Sequence, residues 1–358
     1  MNNSQLTIDT TILKNNLREI VREIPSNCKC VPVLKCDAYG LGMNKIAKVL
    51  ESTGLIDTFA VAHVSEGIEL RKVSEKEIWV LSSPLDFQIE EAIKNQLVLT
   101  VARPGVLPLI DSFGCSAKVQ LKIETGLNRI GAKPGKELDM LIQEIKASKN
   151  IKLIGIFSHF VDQNPVKMEK QFACFKEALT QLEASGISTD SLIKHMGSSS
   201  TIEVSDMYYL DAVRIGRRLY MDNPEKSTGK ITEVCTYRSF LTAVYNRKKG
   251  DKLNYNETYT MEKDSPVGVI GIGYGDGYFT DLFNKHAEVL INGKRAKLLT
   301  ACMDQSLVLL DGIDAKPGDE VIFFDGKNIL SQDTASLIGE EGCSITSNLS
   351  PRVERLYL

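Results

Sequence analysis

Apolar residues follow two alternating rhythms through the first two-thirds of the chain. Short apolar runs recur at Cys30–Lys35, Thr58–Ala62, Ile78–Leu81, Leu97–Val101, Lys118–Ile123, Ile151–Phe157, Leu192–Met196 and Ala212–Ile215, most of them uninterrupted. Between them the spacing turns helical. Asp9-Thr10 can cap a helix that aligns Leu13, Leu17, Ile20, Val21 and Ile24 on one face. Further helices are predicted near Met43–Glu51 and Ser65–Lys72, and Met168, Phe172, Phe175, Leu179 and Leu182 form a packing stripe between the sixth and seventh runs. Continuous apolar strands separated by helices predict a parallel sheet buried on both faces. Eight such units predict a closed (β/α)8 barrel, with an open doubly wound sheet as the alternative. No G-x-G-x-x-G follows the first run, which weakens the dinucleotide-binding version.

The rhythm changes after Tyr220. Asp222–Lys230 is polar and carries Pro and Gly, a predicted linker. Beyond it Ala287–Ile291 and Lys294–Leu299 flank Asn292-Gly293, a strong hairpin signal, and strands are predicted at Ser306–Leu310 and Glu320–Phe324. The predicted division is a barrel over residues 10–224 and a mostly β domain over 225–358, joined by residues 1–9.

Composition narrows the function. The 358 residues carry 43 Lys+Arg against 46 Asp+Glu, with 43% hydrophobic and 25% charged residues. A near-balanced charge argues against nucleic acid, and no apolar run approaches the roughly 20 residues of a membrane span. The N-terminus lacks a signal-peptide pattern. The sequence as given is expected to be cytoplasmic and to make no membrane contact of its own; it could still be the soluble half of a longer, anchored protein. Eight cysteines and four histidines are scattered without C-x-x-C, so reduced thiols and no metal site are expected.

Catalytic groups of a parallel barrel gather after the C-terminal ends of its strands. Those positions hold Lys35, His63, Lys122 with Arg129, His159, His195 with Gly197 to Ser200, and Arg214 with Gly216. Lys35 ends an apolar run, where a desolvated amine becomes a nucleophile able to form a Schiff base. The Gly/Ser cluster and the Arg214–Gly216 turn supply hydroxyls and amides suited to a phosphate. Together these fit pyridoxal 5′-phosphate (PLP). An aldolase-type barrel acting on a phosphorylated sugar would need the same parts.

The run VPVLKCDAYGLG resembles the PLP-lysine signature of alanine racemases, and KIETGLNRIG, GIFSHF, HMGSSS, VRIGRRLYM, GIGYGDGY, ACMDQ and SPRVER follow in that family's order. The resemblance implies that Lys35 holds PLP and serves as one racemising base. Tyr274 would be the other, entering from the partner subunit of a head-to-tail homodimer. Arg214 would contact the pyridine nitrogen, supported by His159, and Tyr39, Ser199 and Gly216 would hold the phosphate. Arg129 and the Met303 amide would bind the substrate carboxylate. Lys122 matches a lysine often carbamylated in the family. A buried sheet tyrosine is the bland alternative for Tyr274, set against glycines Gly273, Gly275 and Gly277, which give a strand no stability.

Leu41, Ser198, Arg217-Arg218, Leu299-Thr300 and the region of Cys343 depart from the family pattern. Cys343 or a neighbour stands where a phosphate-binding Tyr is usual, which would make room for a hydroxymethyl group. These departures resemble the catalytic half of membrane-associated serine/alanine racemases of the vancomycin-resistance type. The expected activity is racemisation of alanine or serine, supplying D-amino acids for peptidoglycan precursors. A PLP decarboxylase on the same architecture and a non-enzymatic PLP carrier are the alternatives. The first lacks its glycine-rich phosphate loop here, and the second usually lacks a β domain.

Overall fold

The computed structural model describes residues 2–201, 204–221 and 229–358. The predicted linker Asp222–Lys230 and the predicted boundary at 224/225 therefore lie outside the described residues, apart from Gly229 and Lys230. The chain forms two compact units: residues 17–38 with 43–219, and the described residues of 1–16, 39–42 and 220–358.

An opening strand, β1 (Gln5–Ile8), precedes a helix over Thr10–Glu23, whose first amides at Thr11 and Ile12 are capped by the Asp9 carboxylate at 2.8 and 2.9 Å. Eight parallel strands follow: β2 (Lys29–Pro32), β3 (Thr58–Val61), β4 (Glu77–Val80), β5 (Leu99–Val101), β6 (Ala117–Lys122), β7 (Ile151–Phe157), β8 (Ile193–His195) and β9 (Ala212–Ile215). Ladders join β2 to β9, β3 to β4, and β5 through β8 in order. Single bridges at Val33–Ala60, Trp79–Val98 and Ser198–Arg214 complete the ring. The sheet is thus the closed (β/α)8 barrel rather than an open one. Its interior packs Val31, Val33, Ala60, Trp79, Val98 and Ala212.

Two local expectations shift. The first run does not remain a strand to Lys35: the ladder with β9 ends at Pro32, and Val33 and Leu34 turn to pair with Ala60. The helix Pro165–Ala184 buries Met168, Gln171, Phe175, Ala178 and Leu182, leaving Phe172 and Leu179 on its flank. Gln171 is used rather than merely tolerated. Its Oε1 accepts from Val161 N at 3.0 Å, and its Nε2 donates to His159 O at 3.2 Å and Thr125 Oγ1 at 3.3 Å, tying together the loops after β6 and β7.

The second unit is built on β10 (Cys235–Arg247), β11 (Lys252–Leu253), β12 (Tyr259–Thr260), β13 (Ser265–Ile270), β14 (Glu288–Ile291), β15 (Lys294–Ala301), β16 (Ser306–Leu309), β17 (Glu320–Phe324) and β18 (Glu354–Tyr357). Strand β10 pairs through Tyr237–Phe240 with β17 and through Leu241–Arg247 with β13. One long strand, kinked by register shifts at Tyr237/Arg238 and Leu241/Ala243, therefore closes six strands on themselves. Strand β1 adds to β10, and β18 adds parallel to β1. The predicted hairpin forms, with Ile291 paired to Lys294 and φ of 50° and 76° at Asn292 and Gly293, as a type I′ turn requires. Among the described residues no helix is long and apolar enough to cross a membrane.

Glu233, just before β10, is a buried carboxylate with 7% exposure. Its Oε2 accepts from Ser331 N at 3.1 Å, while Oε1 has no partner among the described residues. Burial, reinforced by Asp325 and Asp333, raises its pKa to about 7 from the 4.5 of an ordinary glutamate. The folded state thus holds this proton more tightly than the unfolded chain. The resulting stabilisation is complete below pH 4.5 and is lost as pH rises through 7. Glu233→Gln cannot ionise, so unfolding measurements should match wild type near pH 4.5 and gain up to about 3 kcal/mol by pH 8. A pH-independent difference between the two proteins would refute this.

Candidate active site

Lys35 opens the turn that follows β2 and is half-buried, not desolvated outright as its place in an apolar run predicted. The four residues Cys36, Asp37, Ala38 and Tyr39 all have positive φ, between 53° and 59°, a left-handed turn that costs L-residues about 1–2 kcal/mol each. The turn is held by specific acceptors. Cys36 N donates to Glu66 Oε1 at 2.8 Å, Met43 N to Asp37 Oδ1 at 2.7 Å, and Ala38 N to Leu34 O at 2.9 Å. The other oxygen of Glu66 takes the amides of Ala62 and His63 at 2.8 and 3.0 Å. His63 itself is exposed and begins the helix Val64–Arg71, so the structure leaves it outside the cluster around Arg214.

Arg214, on β9, is 4% exposed. Its Nη2 donates to Ser158 O at 2.8 Å, Met196 O at 3.1 Å and His159 Nδ1 at 3.1 Å. Its Nη1 donates to His195 O at 3.3 Å and to His195 Nδ1. The two Nη groups are fully engaged, and the Nε–H alone has no protein partner among the described residues. A guanidinium never accepts, so His195 Nδ1 must carry the lone pair and His195 Nε2 the proton. That proton goes to Gln120 Oε1 at 2.6 Å. The His195 ring is fully buried between Phe157 and Trp79, each at 4.7 Å between centroids. Burial and then the Arg214 charge drive both His195 and His159 well below the usual histidine range, so both are neutral. Lys35 contributes to the shift at His159, which brings it into the same cluster.

Lys122 ends β6 with 5% exposure, its Nζ 4.3 Å from the Phe157 ring centroid. Burial first, then Arg214 and Arg129, pull its pKa well below that of an ordinary lysine. Arg129 is exposed, on a loop whose amides at Gly126 and Arg129 are gathered by the Glu124 carboxylate at 2.5 and 3.2 Å. Ser199 Oγ accepts the Gly216 amide at 2.9 Å and the Arg218 amide at 3.4 Å, which leaves its hydroxyl proton to donate elsewhere. Arg218, one of the departures from the family pattern, is 6% exposed and paired with Glu23 at 2.6 Å.

Within the second unit, Tyr274 is 44% exposed on a short turn, Tyr274–Asp276, and so is not a buried sheet tyrosine. Tyr274 N donates to Cys302 O at 3.1 Å and Gly275 N to Met303 O at 2.8 Å, and Met303 is 60% exposed. The glycines around Tyr274 are required by close approach. A Cβ on Gly273 would lie 2.3 Å from Cys302 O, and one on Gly277, at φ +90°, would lie 2.1 Å from Asn348 O. Asp276, 1% exposed, accepts Gly273 N at 3.0 Å and faces Arg352 at 3.5 Å. The GYGDGY, ACMDQ and SPRVER motifs thus meet at one surface. Tyr39 belongs to this unit, 5.3 Å from the Tyr220 ring, and Cys343 lies half-buried in the helix Gly342–Asn348.

Sequence reasoning did not single out Gln120, Glu66 or Gln171. Gln120 left one signal, a polar residue two positions before Lys122 and hence on the same face, in a strand that alternates polar and apolar residues. As a set, the groups suit PLP: an amine at Lys35, a Ser199 hydroxyl whose oxygen takes the Gly216 amide and whose proton is left to donate, and a guanidinium N–H at Arg214 for a basic ring nitrogen.

Comparison with known proteins supplies the context. The alanine racemase N-terminal domain family matches residues 8–224, and the alanine racemase C-terminal domain family matches residues 234–357. Alanine racemase 2 of Caldanaerobacter subterraneus subsp. tengcongensis is 30% identical, over 99% of this chain and 95% of that protein. Among solved structures, the alanine racemase of Clostridium difficile 630 superposes with a TM-score of 0.92 at 29% identity, covering 99% of this chain and 96% of that one. Alanine racemase from Bartonella henselae with covalently bound pyridoxal phosphate has a TM-score of 0.90 at 25% identity, covering both chains completely.

Proposed function

The chain belongs to the alanine racemase family, and from that premise we propose which of its residues carry the PLP-dependent racemisation of alanine. Bound PLP supplies an electron-withdrawing ring that acidifies the Cα–H of the amino acid joined to it. Exchange of configuration then requires a base on each face. Lys35 Nζ takes or returns the α-proton on one face, and Tyr274 Oη does so on the other. The uncommitted Nε–H of Arg214 is the observation that carries this reading. It would hold the pyridine nitrogen of the cofactor by donating to it, and a guanidinium still protonated at neutral pH would leave that nitrogen without a proton of its own. His159 steadies Arg214, Ser199, Gly216 and Tyr39 hold the phosphate, and Arg129 with the Met303 amide orients the substrate carboxylate.

Tyr274 and Met303 are large side chains left exposed on one surface of the second unit. We assign them to the site of a second copy, in a homodimer whose sites are completed in trans, with residues 10–224 as the PLP-binding part. The enzyme works in the cytoplasm and feeds D-amino acids to peptidoglycan precursors.

Three experiments test these assignments. In D₂O with PLP, wild type should introduce α-deuterium from both L- and D-alanine. Tyr274→Phe should slow exchange from one enantiomer by at least about a hundredfold while sparing the other half-reaction. Full exchange in both directions would rule out the two-base assignment, and loss of CO₂ would indicate the decarboxylase instead. Secondly, Lys122 sits between two cations with a weakened hold on its own proton, the state that reacts with CO₂ to give an anionic carbamate. Protein supplied with carbon-13 bicarbonate should show a carbamate signal absent from Lys122→Arg; its absence in wild type would mean a bare amine. Thirdly, Cys343 or a neighbour, standing where a larger residue is usual, would make room for a hydroxymethyl group. Wild type should racemise serine as well as alanine, and Cys343→Tyr should cut the serine-to-alanine ratio of kcat/KM about tenfold. An unchanged ratio would exclude Cys343 from substrate choice.

A further inference from the structure

We infer that Gln120 is a positioning residue for the reaction: by taking the His195 Nε2 proton it fixes the tautomer that lets His195 Nδ1 accept from the Arg214 guanidinium. The inference rests on the assignment of Arg214 to the cofactor ring, and adds a residue two hydrogen bonds away from it.

The geometry permits a single arrangement of protons. Arg214 Nη1 is a donor, so the facing His195 Nδ1 is an acceptor. A neutral imidazole with an acceptor at Nδ1 bears its proton at Nε2, which then needs an acceptor, and Gln120 Oε1 lies there at 2.6 Å. Flipping the amide would set an N–H₂ against Nε2 and ask both ring nitrogens to accept, which neutral imidazole cannot do. The cost of the chosen orientation is visible: Gln120 Nε2 is buried without a hydrogen-bond partner among the described residues. With Gln120 2% exposed and the ring clasped by Phe157 and Trp79, no water reaches the position to substitute for it. Without the Gln120 acceptor, the imidazole is free to move its proton to Nδ1. An N–H would then face an N–H of Arg214, and the guanidinium would turn from the orientation that aims its Nε–H.

The test has two arms on the PLP-loaded protein. Nitrogen-15 NMR of histidine-labelled wild type, with His195→Gln for assignment, should find His195 protonated at Nε2 and bare at Nδ1. A proton at Nδ1 overturns the inference whatever the activity. In the second arm, Gln120→Met, similar in size but no acceptor, should lower kcat for alanine at least about tenfold with little change in KM, the loss expected when a hydrogen bond to a charged group is broken. It should also move the absorption band of the bound cofactor. Gln120→Glu keeps an acceptor oxygen and should restore most of the rate and the band. Equal damage in both variants, or a stationary band, would mean that Gln120 only packs, and the inference would fall. If Gln120→Met does not fold, the NMR arm and Gln120→Glu still decide. A wild type that shows the Nε2 tautomer but racemises nothing would instead refute the function proposed above.

Discussion

A guanidinium buried at the mouth of a barrel must be met by acceptors, and the barrel rim is organised to supply them to both Nη groups of Arg214. Three carbonyls at the ends of β7 and β8, from Ser158, His195 and Met196, and two imidazole nitrogens converge on Arg214. Backbone carbonyls at strand ends point along the strand neighbours and cannot be moved without unpairing the ladder. The position of Arg214 is therefore set by the closure of the barrel itself, through the single bridge between Ser198 and Arg214 that completes the ring. Burial first, and the charge of Arg214 after it, keep both histidines neutral and weaken the proton affinity of Lys122, so the burial of this cluster and its one central cation act together on three neighbours.

The second unit solves a different problem by exclusion of side-chain volume. Tyr274 stands exposed on a short turn, and the turn is held by pressing backbone directly onto backbone. Gly273 lies against Cys302 to Asp304, and Gly277 lies against Asn348 to Ser350, at distances that admit no Cβ. Asp276 then ties the turn to Arg352 from within. Three motifs separated by dozens of residues are parts of one contact, which explains why they occur together.

The barrel was legible because its signal is local: each strand is a short apolar run, each helix a periodic one, and the motifs sit at strand ends. The Asn292-Gly293 hairpin was legible for the same reason. What escaped were features whose meaning lies in distant pairing. Strand β10 alternates buried and half-buried residues over much of its length, but its role in closing six strands depends on two partners, β17 and β13, that follow it in the chain. Glu66 reads as an ordinary acid in a helix until Cys36 places an amide against it. Gln120 reads as one more polar residue between Lys118 and Lys122 until His195, 75 residues on, needs an acceptor. The desolvation expected at Lys35 failed because the apolar run leaves the ladder at Pro32, before the lysine is reached.

Charge balance at the rim completes the chemical logic. Lys35, Lys122, Arg129 and Arg214 bring four basic groups to one mouth, while the acidic Glu124 spends its oxygens on the amides of its own loop. Bringing like charges together in a partly buried space is unfavourable unless something offsets it. The chain offers three remedies of different kinds: neutral histidines in place of charged ones, a lysine with a weakened hold on its proton, and a Ser199 hydroxyl whose proton is left to donate. Each remedy loses its purpose if the site is filled by neutral molecules. A phosphate and a carboxylate arriving together, one on the cofactor and one on the substrate, supply the negative charge that this arrangement of residues lacks by itself.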